Sequence, residues 1–135
     1  MCLNVKEKSV KVKARIDKVC YKHLIVVDDK LLTPYRRSNV EIGKTYKSKL
    51  TKYGEIHCYV DLGLHSFKNI KACIYDAKVE KRIKRHSNIY GSDYRHIIIK
   101  CIIPKGSYYY IGDFENEISY ASDKITYVEI LDNII

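Results

Sequence analysis

Five cations fall within eight positions at Lys78, Lys81, Arg82, Lys84 and Arg85, opposed only by Glu80. Ammonium and guanidinium groups at this density suit phosphate oxygens or clustered carboxylates, and Arg36 and Arg37 offer a second pair of the same kind. Cations also complement the negative end of a helix dipole, which accounts for two or three of the five but not for the cluster. Thirteen tyrosines and no tryptophan supply more amphipathic rings than one small core can hide, so some are expected at the surface, where they stack on bases or fill partner pockets. His57, Cys58 and His65 are zinc-ligand types. Adjacent residues of a strand point to opposite faces, however, and no fourth ligand stands at finger spacing, so no metal site is expected. Five cysteines at positions 2, 20, 58, 73 and 101 form no CxxC pair and are odd in number, which argues for free thiols in a reducing cytoplasm. A glycine-rich phosphate loop, a nucleophile elbow and an HExxH pattern are all missing from the sequence.

The charge is unevenly laid out. The chain carries 25 Lys and Arg against 16 Asp and Glu over 135 residues, a formal +9. Residues 112–135 hold Asp113, Glu115, Glu117, Asp123, Glu129 and Asp132 against Lys124, a balance of −5, so the first 111 residues carry +14. A body this basic favours polyanions or acidic protein faces as partners. With 46% apolar and 30% charged residues the chain can bury a single core, which excludes disorder and collagen-like structure. No apolar run approaches the roughly 18 residues that cross a bilayer, and Met1–Lys6 has no signal-peptide run, so the expectation is a cytoplasmic protein with no membrane partner.

Strands and one helix must position these groups. Residues 1–18 read as a basic arm or an edge strand, and 19–135 as one α+β domain. The β-branched and aromatic run Val19–Val27 turns at Asp28-Asp29-Lys30 into Leu31–Thr33, a hairpin. Further strands are expected at Lys44–Lys47, Ile56–Val60, Arg95–Ile103, Tyr108–Ile111 and Ile125–Leu131, with the Arg95–Ile103 run apolar enough to be covered on both faces. Ser66 is a good N-cap for a helix running to about Arg85, with Phe67, Ile70, Cys73, Ile74 and Ala77 as its buried stripe. Residues 86–94 read as a loop. The layout predicts a curved, mainly antiparallel sheet with one principal helix packed on it.

Three strings extend the reading: Gly63-Leu64-His65-Ser66-Phe67-Lys68-Asn69, Ile99-Lys100-Cys101-Ile102-Ile103-Pro104-Lys105-Gly106-Ser107-Tyr108-Tyr109, and Tyr120-Ala121-Ser122-Asp123-Lys124-Ile125. Together with Cys20-Tyr21-Lys22, Thr33-Pro34-Tyr35 and Gly43-Lys44-Thr45-Tyr46-Lys47, the chain resembles a family of short uncharacterised proteins of tailed phages and the bacteria they infect. The resemblance covers most of the chain. It implies a setting, a small accessory protein of a phage or mobile element, rather than an activity.

In that setting the charge layout suggests a non-enzymatic, anti-CRISPR-like inhibitor of a host nucleic-acid-directed defence system, acting in the cytoplasm of the infected bacterium. Lys78, Lys81, Arg82, Lys84, Arg85, Arg36 and Arg37 would contact nucleic acid or the effector that binds it, and no cofactor is required. A second reading is enzymatic: Gly63–Phe67 leading into the helix, with Glu115-Asn116-Glu117, is similar to the layout of ADP-ribosyltransferase-like proteins. That likeness implies one glutamate stabilising a ribose-like cation and the other orienting the acceptor, with His65 or Ser66 on the nicotinamide ribose. The upstream Arg and Ser-Thr-Ser elements of that fold are not recognisable here. A third reading is a nucleic-acid-binding module with no inhibitory role.

Overall fold

The computed structural model describes residues 3–5, 10–53, 59–114 and 117–131. Hydrogen bonding begins at the hairpin. Strand β3 (Lys18–Val27) turns through Asp28 and Asp29, both with positive φ, into β4 (Lys30–Leu32), the two-residue turn whose twist matches the flanking strands. Short strands β1 (Leu3–Asn4) and β2 (Val12–Lys13) precede it, and β5 (Asn39–Val40), β6 (Thr45–Lys47), β7 (Thr51–Tyr53), β8 (Tyr59–Leu62) and β9 (Leu64–Phe67) follow. Next come helices α1 (Ile70–Ile83) and α2 (Ser87–Tyr90), then β10 (Arg95–Ile103), β11 (Tyr108–Phe114), β12 (Glu117–Ser122) and β13 (Lys124–Leu131).

Every strand pairing among the described residues is antiparallel, in the order β6-β13-β10-β3-β9-β12-β11-β1-β8-β7, with β2 on β11 and the β4–β5 pair on β3. The sheet stays open, with β6 and β7 at its edges. Tyr109 of β11 and Ile125 of β13, five places apart in that order, nevertheless share one apolar cluster with Cys20, Leu24, Ile99 and Cys101. The sheet therefore curls around this core. On its other face α1 packs Ala72, Cys73 and Ala77 against Ile98 and Phe67. A smaller cluster joins Leu3, Val60 and Tyr110. The structure is thus the expected α+β arrangement, a mainly antiparallel sheet with one main helix on it.

Strand β10 lies between β13 and β3, and Ile97, Ile98, Ile99, Cys101 and Ile103 are all buried, as an apolar run covered on both faces should be. The amino-terminal segment takes part in the sheet: β1 lies between β8 and β11, with Leu3 and Ala14 buried. Gly112 makes this possible, because a Cβ there would collide with the carbonyl oxygen of Asn4.

Several local expectations are corrected. The helix starts three residues later than Ser66 suggested, with Asn69 at its N-cap. Leu64–Phe67 is drawn into a strand instead because it pairs with Ser119–Ser122, and Ser66 is wholly buried in that ladder. The helix ends at Ile83, where Lys84 adopts a left-handed conformation and donates its N–H to the Glu80 carbonyl. Residues 87–90 form a short helix in place of a loop. The strand expected at Tyr108–Ile111 runs on to Phe114 and is internal, with β12 on one side and β2 and β1 on the other. Residues 54–58, which include most of the expected strand Ile56–Val60, lie outside the described residues.

Candidate functional site

Helix α1 sorts its charges by face. Asp76 and Glu80, one turn apart, lie on the buried side with Ala72, Cys73 and Ala77. Lys71, Lys78, Lys81 and Arg82 stand in solvent, followed by Lys84 and Arg85 beyond the helix end. Lys71, Tyr75, Lys78 and Arg82 recur at helical spacing along the outer face, and Tyr75 is 62% exposed among them. The outer face therefore carries cations and a tyrosine, with both helix carboxylates turned inward.

Those carboxylates hold specific partners. Asp76 Oδ2 lies 3.4 Å from Nδ1 of buried His23, and His23 Nε2 lies 2.6 Å from Nδ1 of His96. A carboxylate can only accept, so with both rings neutral His23 donates to Asp76 and accepts from His96. His96 Nε2 is then a bare, buried lone pair, and no hydrogen-bond partner reaches it. Burial, helped by His23 and His86, pushes the His96 imidazole down to about 4.

Glu80 ties the other arginines to the helix end. The Tyr35 hydroxyl donates to Glu80 Oε1 at 3.4 Å, and Arg85 Nε stands 3.3 Å from Oε2 as an ion pair. The Arg85 guanidinium also lies over the Tyr35 ring, 5.1 Å from its centroid. Burial raises the Glu80 carboxyl above its ordinary range, with Arg85 opposing the shift. Tyr35 sits in a tight turn in which Thr33 and Ser38 bond each other's backbone and Arg37 donates its N–H to the Thr33 carbonyl. Arg37 has positive φ, and its charge, after burial, helps hold the His86 imidazole below its usual value. The structure thus brings Arg37 and Arg85 to the same buried histidine, His86, at the carboxyl-terminal end of α1, while Arg36 lines a cavity with Lys22.

Among the described residues, no acidic side chain of the carboxyl-terminal strands pairs with these cations. Glu129 pairs with Lys100 at 4.0 Å, and Asp123 accepts the Tyr108 N–H. Among the described residues, Lys78, Lys81, Arg82 and Lys84 form no ion pair, and Arg85 pairs with Glu80 alone.

Of the residues of the transferase reading, His65, Ser66 and Glu117 lie on the neighbouring strands β9 and β12. His65 and Ser66 are adjacent in β9 and face opposite sides: the His65 ring packs on Phe67 and Phe114, while Ser66 is enclosed in the core on the side of Cys20. Glu117 opens β12 and is exposed, and Glu115 lies outside the described residues, as do His57 and Cys58. Among the described residues no group of three or more His, Cys, Asp or Glu side chains is placed to hold a metal ion. Cys20, Cys73 and Cys101 are free, buried thiols, and burial pushes Cys20 up to about 11. No helix among the described residues is long and apolar enough to cross a membrane.

Sequence reasoning missed the inward-facing set of Asp76, His23, His96, Glu80 and His86. The signal was present as two acids at i, i+4 on the stripe that also holds Cys73 and Ala77. Comparison of the chain with protein-family models, with curated protein sequences and with solved structures finds no match in any of the three.

Proposed function

We propose that this chain is an accessory protein of a phage or mobile element that inhibits a host nucleic-acid-directed defence system by non-enzymatic binding. The outer face of α1, extended by Arg85 and Arg37, is its contact with nucleic acid. One observation carries the reading: both carboxylates of α1 are turned into the fold, and among the described residues the outward cations Lys78, Lys81 and Arg82 form no ion pair. Flexible lysines and arginines along a convex helix track a phosphate backbone, and exposed Tyr75 among them offers a ring on which a base can stack. The +14 body supplies the long-range field that steers a polyanion to this face. The defence setting comes from the resemblance to phage proteins.

Pull-down from infected-cell lysate, with and without nuclease, tests the reading. A nucleoprotein partner released by nuclease and lost with Lys78→Glu/Arg82→Glu is the expected result. A partner retained through both treatments would overturn it.

A further inference from the structure

A second feature lies away from the outer face of α1, where the sheet itself parts. Strand β3 pairs with β9 at one position, Tyr21 opposite Phe67, although β3 runs on to Val27. Beyond that pair the two strands separate. The Lys22 ammonium enters the opening and donates to the His65 backbone carbonyl at 2.7 Å, in place of a β3 amide. The split leads into a cavity of about 380 Å³ beneath the Thr33–Val40 turn, bounded also by β6 and β8.

The wall chemistry is specific. Lys22, Arg36 and Lys47 bring positive charge, and Tyr35, Tyr46 and Tyr127 bring aromatic surface. The two wall carboxylates are already engaged, Asp61 by the Thr51 hydroxyl and Asp76 by His23. An ammonium has three donors and Lys22 uses one, on a neutral carbonyl. Burial holds the Lys22 amine below its ordinary range, and Arg36 adds a smaller push in the same direction. Lys22 and Arg36 both line the cavity, two like charges that a bound anion would relieve. A volume of this size, lined by both tyrosine rings and cations, suits a ring joined to a phosphate.

We infer that this cavity binds a mononucleotide-sized phosphate ester, with its phosphate on Lys22 and Arg36 and its base against the tyrosines. The inference goes beyond the polyanion reading and does not rest on it.

Titration calorimetry with AMP, adenosine and inorganic phosphate tests the assignment on the full chain. AMP is expected to bind, adenosine at least tenfold more weakly for want of the phosphate, and phosphate at least tenfold more weakly for want of the ring. Lys22→Met and Arg36→Gln are each expected to weaken AMP at least tenfold. Lys22 also caps a carbonyl in the sheet, so should Lys22→Met fail to fold, Arg36→Gln, at an exposed position, decides alone. The proposal is overturned if AMP does not bind up to millimolar concentration, if phosphate binds as tightly as AMP, or if folded variants bind AMP unchanged.

Discussion

The Tyr35 hydroxyl stands 3.4 Å from Oε1 of Glu80, and through this contact the arginine-bearing turn is fastened to the cationic end of α1. The Tyr35 ring lies under Arg85, so one side chain links the 33–38 turn to the residue just past the end of α1.

Tyr35→Ala removes the hydroxyl bond and the stacking surface together. It is expected to cost about 1 to 2 kcal/mol of stability, read by urea denaturation. Affinity for an oligonucleotide should fall more than in Tyr35→Phe, which keeps the ring. Equal affinity in the two variants would show that the turn is held by other contacts.

Acid stability should depend on His96. Unfolded, its imidazole titrates near 6.5, and folded it titrates at about 4, so between these values the unfolded chain binds more protons. Stability is therefore lost as pH falls from 6.5 towards 4, and His86, also lowered, adds to the loss. Glu80 acts with the opposite sign, because its raised carboxyl takes up a proton in the folded state first. His96→Asn keeps a donor for His23 and removes the titration. Since His96 is partly exposed and screened, the variant is expected to flatten the pH dependence of the unfolding free energy by about 1 kcal/mol over that window.

Gly112 and Gly43 make a matched pair of glycines. A methyl group at Gly112 would meet the Asn4 carbonyl oxygen and the Leu3 and Val5 side chains, so Gly112→Ala should displace β1 at a cost of about 3 kcal/mol or more. Gly43 has open space around its Cβ position and a positive φ, so Gly43→Ala should cost about 1 kcal/mol. Chemical denaturation of both variants measures the difference.

The long strands and the hairpin were legible because their signals are local: β-branched runs, and a two-residue aspartate turn at the right spacing. Strand β12 was not, since Ser119 and Ser122 are fully buried where alternation would place apolar groups. The same masking misplaced the helix start, because Ser66 looks like a cap yet lies in the core, where its face is settled by pairing with a strand more than fifty residues away. The cation cluster was visible in the sequence. That it lies unneutralised on one face was not, because this depends on Asp76 and Glu80 turning inward to partners on β3 and in the 33–38 turn. A carboxylate on a basic helix reads as a surface charge until its partner is known.

The central claim is that the outer face of α1 holds phosphates, and the salt dependence of binding to duplex DNA measures this most directly. If four or five of its cations neutralise phosphates, log affinity against log salt should fall with a slope between about −3.5 and −4.5, and Lys78→Glu/Arg82→Glu should make that slope shallower by about 2. A slope near zero, or one unchanged by reversing those two charges, would contradict the account.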